Sequence, residues 1–141
     1  MDSDAELRAL VNERVAAVHG KDLKPLLDRV HPDIVSYNLL PPSRTAGGAP
    51  VEAAARKWFD GYPGGIGYDL HDLEVMSAGD LGVCRFFYRV TGTLRDGSSV
   101  DMWVRATLVC RRVDERWLIV HGHESVPFDA ATGNAILTEG P

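Results

Sequence analysis

The chain has 141 residues, 45% of them hydrophobic and 25% charged, the balance of one globular domain over residues 1–141 and not of a disordered, fibrous or two-domain protein. Its formal net charge is -5, with no run of Lys or Arg, which speaks against a nucleic-acid partner and against an anionic lipid surface. No apolar stretch approaches the roughly 20 residues of a spanning helix, and Met1-Asp2-Ser3-Asp4 is unlike a secretory leader, so a cytoplasmic protein without a membrane partner is expected.

Ser3 followed by Glu6 reads as a capping box, and Leu7, Val11, Val15 and Val18 give an apolar stripe ending at Gly20, so a first helix is expected over about 3–19. A second, short helix starts at Asp22, turns Leu23, Leu26 and Leu27 inward, and is stopped by His31-Pro32. Asp33 to Leu39 reads as a short strand, and the Pro- and Gly-rich segment 41–48 as a loop. Pro50 suits the first turn of a third helix over about 50–61, whose face is Val51, Ala54, Ala55, Trp58, Phe59 and Tyr62. Gly61 to Gly67 is a turn.

From Tyr68 the pattern changes to strands at about 68–76, 82–94, 100–113 and 116–125. They form an antiparallel meander, and helices followed by strands indicate an α+β fold with one sheet face covered. Cys84 and Cys110 each fall inside a strand, where a small reduced core residue is expected. Residues 129–141 read as a surface tail.

Turn chemistry sets the registers. Asp96-Gly97 as a two-residue turn pairs Val90 with Trp103 and Tyr88 with Arg105. At the next hairpin a two-residue Asp114-Glu115 turn would pair Arg105 with Glu124 and send the histidines of His121-Gly122-His123 to the opposite face. A three-residue connection with a bulge instead pairs Thr107 with His123 and Arg105 with Ser125. The second register is preferred because it gathers Phe86, Tyr88, Val90, Trp103, Arg105, Thr107, Val109, Ile119, His121 and His123 on one face, where aromatic rings and a few polar groups resemble a ligand pocket. The opposite face, with Arg85, Phe87, Arg89, Met102, Val104, Ala106 and Leu108, then suits a homodimer interface.

In order along the chain, the helices, Gly92-Thr93-Leu94 before Asp96-Gly97, Asp101 to Thr107, and Trp117-Leu118-Ile119 leading to His121, His123 and Ser125 to Asp129 resemble a SnoaL-like, ketosteroid isomerase-like member of the nuclear transport factor 2-like superfamily. The resemblance implies a cystatin-like cone in which three N-terminal helices pack in a curved, mostly antiparallel (mixed) sheet whose open end is the pocket. Ketosteroid isomerase uses a carboxylate base with a tyrosine and a neutral carboxylic acid at the enolate. Those positions fall here on Asn38, Arg14 and Arg105, none of which matches, so that mechanism does not transfer.

The expected function is cofactor-free acid–base isomerisation, cyclisation or (de)hydration of an apolar oxygenated metabolite such as a polyketide-, steroid- or terpenoid-like compound. His123 would move the proton with help from His121. Arg105, Tyr88 and Asn38 would stabilise negative charge, and Tyr37, Trp58, Trp103 and Phe86 would shape an aromatic cavity. Each has a plainer reading: a packed or rim histidine, an Arg105 ion pair with Asp33, Asp101 or Glu124, core aromatics, and an Asn38 that satisfies backbone. His-X-His offers two metal ligands with no Cys or third His at a recognisable spacing, so neither metal nor cofactor is expected. The alternative function is a non-catalytic ligand-binding or dimerisation module.

Overall fold

A carboxylate sets the first helix. The computed structural model, which describes residues 2–141, has helix α1 over Ser3–His19, capped by Asp2, whose side chain accepts the Ala5 N–H at 2.7 Å. The cap lies one residue before the Ser3 expected from sequence, and Asp4 and Glu6 in the first turn with His19 in the last suit the helix dipole. Leu7, Leu10, Val11, Ala17 and Val18 form its buried face. Helix α2, Leu23–Leu27, buries Leu26, and helix α3, Gly48–Asp60, buries Ala55 and Phe59. None of the described helices is long and apolar enough to cross a membrane.

The strands are β1 Val30–Tyr37, β2 Arg44–Ala46, β3 Gly67–Ala78, β4 Leu81–Thr93, β5 Ser99–Val113 and β6 Arg116–Ser125. They make one sheet in the order β2-β1-β6-β5-β4-β3. β3 to β6 are the expected antiparallel meander, while β1 joins parallel to β6 and β2 antiparallel to β1. His31-Pro32 therefore does not end α2 but lies in β1, at an irregular stretch where the register with β6 shifts between Val30 and Val35, and where a proline without an N–H is tolerated. The loop at 41–48 contains β2, a three-residue edge strand too short to show periodicity.

Two turns and a bulge decide which residues face inward. At the β4–β5 hairpin, the Leu94 N–H reaches the Ser98 carbonyl at 2.9 Å and the Gly97 N–H reaches the Leu94 carbonyl at 3.0 Å, with Gly97 at φ 87°. The Asp96 carboxylate also accepts from the Ser98 N–H at 2.9 Å and the Ser98 hydroxyl at 2.6 Å. The loop is thus one residue longer than a tight Asp-Gly turn, and the pairing shifts: Phe87 stands opposite Arg105, and Tyr88 opposite Val104.

The β5–β6 hairpin errs the other way. Asp114 and Glu115 form a two-residue turn, both left-handed at φ 49° and 66°, and Val113 pairs with Arg116, the arrangement of a type I′ turn. The odd residue is absorbed further along β6. Cys110 pairs with Ile119 but Val109 pairs with His121, so Val120 is a bulge. Side-chain parity changes across it: Trp117 and Ile119 point inward at 2% exposure each, His121 and His123 point outward, and Gly122 and Glu124 point inward.

The inner face therefore carries Cys84, Phe86, Tyr88 and Val90 with Val104, Ala106, Leu108 and Cys110, all buried. Val104, Ala106 and Leu108 are core, not the interface expected from sequence. Both cysteines are free thiols. Helix α1 crosses this face so closely that a Cβ on Gly82 would stand 2.6 Å from Leu7 Cδ1. Beyond β6 the chain turns back through the Phe128–Ala135 bridge, and the Trp103 N–H donates to the Leu137 carbonyl at 2.8 Å. The tail thus takes the ladder position beside β5 that β6 leaves open.

Candidate functional site

Four polar side chains from four elements converge inside the cone. Arg14 comes from α1, three residues after Val11 and four before Val18, so it shares their inward stripe. Tyr68 comes from β3, Tyr88 from β4, and Glu124 from the stretch of β6 turned inward by the Val120 bulge. The rings of Tyr68 and Tyr88 stack at 4.5 Å and 19°. Trp58 of α3 meets Tyr68 edge-on at 6.1 Å, and Phe86 lies 6.3 Å from Tyr88.

The electrostatics of this group are unbalanced. Burial pushes the Glu124 carboxyl above its usual range, and the Arg14 charge and a hydrogen bond from Tyr88 only partly oppose it. Burial likewise raises the Tyr68 and Tyr88 phenols, which remain protonated donors at any physiological pH. The Arg14 Nε is buried and has no hydrogen-bond partner, and Arg14 and Glu124 take part in none of the ion pairs among the described residues. An acid with a raised pKa, two phenolic donors and a guanidinium with a free N–H can pass a proton and hold an oxyanion. Arg14 and Glu124 are each of intermediate exposure as whole residues.

Of the residues expected from sequence, Tyr88 and Phe86 lie in this group and Trp58 lies at its margin. The structure does not bring the others to it. Trp103, Arg105, His121 and His123 do share a face, as the preferred register has it, but that face is the outer one, a sheet thickness away from Tyr88. Trp103 packs against His71 at 4.8 Å and under the Arg89 guanidinium at 5.8 Å. Arg105 is exposed and needs no internal anion.

Tyr37 also faces outward, edge-on to His121 and His123 at 4.7 and 5.4 Å between ring centres. Asn38 spends its amide in the following loop, donating to the Pro42 carbonyl at 2.8 Å and to the Thr45 hydroxyl at 3.2 Å. Arg14 and Glu124 are not among the site residues expected from sequence. The signal for Arg14 was its spacing from Val11 and Val18. Glu124 had none, because an even alternation from Ile119 sends it outward.

Two surface depressions lie elsewhere. One of about 180 Å³ is lined by Asp72, Arg85, Arg105 and Thr107, and one of about 360 Å³ by Glu13, Arg29, Arg116 and Trp117. Neither includes Arg14 or Glu124.

Comparison with known proteins adds a family and several folds. Residues 7–129 match the SnoaL-like domain. A nuclear transport factor 2-like protein of unknown function from Pseudomonas putida KT2440 is 27% identical, with a TM-score of 0.89 over 99% of this chain and 96% of that one. A protein of Novosphingobium aromaticivorans provisionally called an aromatic ring hydroxylase superposes at 0.77, with 20% identity over 86% of this chain and 87% of that one. A Streptomyces avermitilis protein provisionally called a dehydratase of the nuclear transport factor 2-like family superposes at 0.76, with 17% identity over 86% and 93%. No curated protein matches the chain.

Proposed function

The chain belongs to the SnoaL-like family of the nuclear transport factor 2-like superfamily, and from that premise we propose that it is a cofactor-independent acid–base enzyme acting on a small, largely apolar, oxygenated molecule inside the cone. Glu124 is the proton carrier. Its carboxylate removes a proton beside a carbonyl, and the oxygen that gains charge is held by the Arg14 guanidinium and the Tyr88 hydroxyl. Returning the proton to another carbon gives isomerisation; attack of the enolate carbon on a second carbonyl of the same molecule, whose new alkoxide takes the proton, gives cyclisation; and passing the proton to a neighbouring hydroxyl that leaves as water gives dehydration. Tyr68, Phe86 and Trp58 supply the flat apolar walls.

The observation that carries this reading is the buried Arg14 Nε without a partner beside an acid whose pKa is raised by burial. Left unmatched, a buried guanidinium N–H costs stability, and a ligand oxygen would complete it; Arg112 Nε and Trp117 Nε1 are also buried without a partner, so it is the neighbouring Glu124 that singles out Arg14. The dehydratase name given to the Streptomyces avermitilis neighbour agrees in reaction class.

Proton transfer can be read before the natural substrate is identified, by following deuterium uptake from D₂O into a panel of enolisable bicyclic ketones such as 2-tetralone. The expected result is saturable exchange that falls about 10²-fold or more in Glu124→Gln with the fold intact. Exchange unaffected by that substitution sinks the assignment. A ketone that binds without exchanging would favour the non-catalytic binding module.

A further inference from the structure

The outer face of β6 holds a pair of imidazoles that the interior site does not use. His121 and His123 lie two residues apart on the same side of the strand, with ring centres 6.4 Å apart. The His121 Nδ1 sits 2.6 Å from the Val35 carbonyl oxygen. A carbonyl only accepts, so Nδ1 carries the proton of the neutral ring, and Nε2 is left with its lone pair. This is the arrangement in which metal-ligating histidines are usually held, the far nitrogen fixed by a backbone carbonyl and the near one aimed outward. Tyr37 stands edge-on to both imidazoles and walls the pair on the β1 side.

We propose that His121 and His123 form a two-histidine binding site for a divalent transition-metal ion of the zinc type, with water completing the coordination. A metal about 2 Å from one nitrogen of each ring holds the ring centres roughly 5 to 6 Å apart. The observed 6.4 Å closes to that with a small rotation of the exposed His123 ring. Imidazole nitrogen suits zinc, nickel and copper and does not suit calcium or magnesium. Among the described residues no group of three or more His, Cys, Asp or Glu is placed to hold a metal, so the ion has two protein ligands and exchanges readily. The site is independent of the interior chemistry, being on the opposite face of the sheet.

Equilibrium dialysis of the tag-free chain against zinc ion alone tests it, with bound metal counted per chain. About one equivalent is expected, with affinity falling at least about ten-fold in His121→Asn and in His123→Asn and unchanged in the control His71→Asn. Both target side chains face away from the core, and circular dichroism checks the fold of each variant. In the wild-type chain, ¹⁵N NMR should show the metal shifting Nε2 of His121 while Nδ1 keeps its proton. No uptake, or uptake that survives both substitutions, overturns the proposal.

Discussion

The two faces of the sheet are built from alternate residues of the same strands, yet they treat charge in opposite ways. On the outer face two arginines are matched, Arg89 making two hydrogen bonds to Asp101 at 2.8 and 2.7 Å and Arg85 meeting Glu74 at 2.6 Å, and Arg105 is exposed to water. On the inner face Arg14 has a buried nitrogen without a partner, and Glu124 is raised by burial with its compensation incomplete. Solvated pairs of this kind contribute little to stability, whereas an unmatched polar group in a mostly apolar interior is costly. A polar group kept at such a cost is the better guide to where a ligand goes.

The contrast is sharpened first at the bulge. Val120 is the one extra residue of β6, so deleting it leaves Ile119 inward, His121 and His123 outward and Glu124 inward in a regular ladder. A loss of about 1 to 2 kcal/mol in urea unfolding, with the fold kept, is expected. No folded protein would mean that Val120 does more than absorb one residue.

Substituting Glu124 separates cost from use. Burial lifts the folded-state pKa above the unfolded one, so the favourable contribution of the acid is fully present below the ordinary glutamate value and is lost as pH rises through the raised one. Glu124→Gln is therefore expected to gain about 1 kcal/mol, a few degrees in Tm, at pH 8 and nothing near pH 4. An equal gain at both pH values would show that the carboxyl is not strained by burial.

Arg14→Met should raise the unfolding midpoint slightly while weakening the binding of a bicyclic phenol such as 2-naphthol about ten-fold, measured by calorimetry. On the outer face, Asp101→Ala breaks a pair whose side chains are 42% and 54% exposed. Its unfolding midpoint should match wild type within error.

Much of the fold is legible in the sequence because amphipathic periodicity is strong where elements are long. The stripe of α1, the Trp58–Phe59 face of α3 and the four later strands all follow from spacing and turn residues. The face of each strand was harder, because a single residue in a turn or bulge reverses it. Asp96-Gly97 looks like a two-residue turn, but Leu94 and Ser98 close a longer one. Asp114-Glu115 lacks the usual Asn or Gly yet makes the tight turn, and the compensating bulge at Val120 carries no marker such as Gly or Pro. Spacing thus keeps the histidines, Arg105 and Trp103 on one face but puts that face on the wrong side of Tyr88.

The central claim is that acid–base chemistry belongs to the inward carboxyl and not to the outward imidazoles. It is tested most directly by measuring the deuterium exchange rate of one ketone with Glu124→Gln and with the double variant His121→Asn/His123→Asn. Exchange falling about 10²-fold in the first and staying within about two-fold of wild type in the second is the expected result. The reverse pattern, a silent Glu124 substitution and a collapsed rate without the histidines, would contradict it.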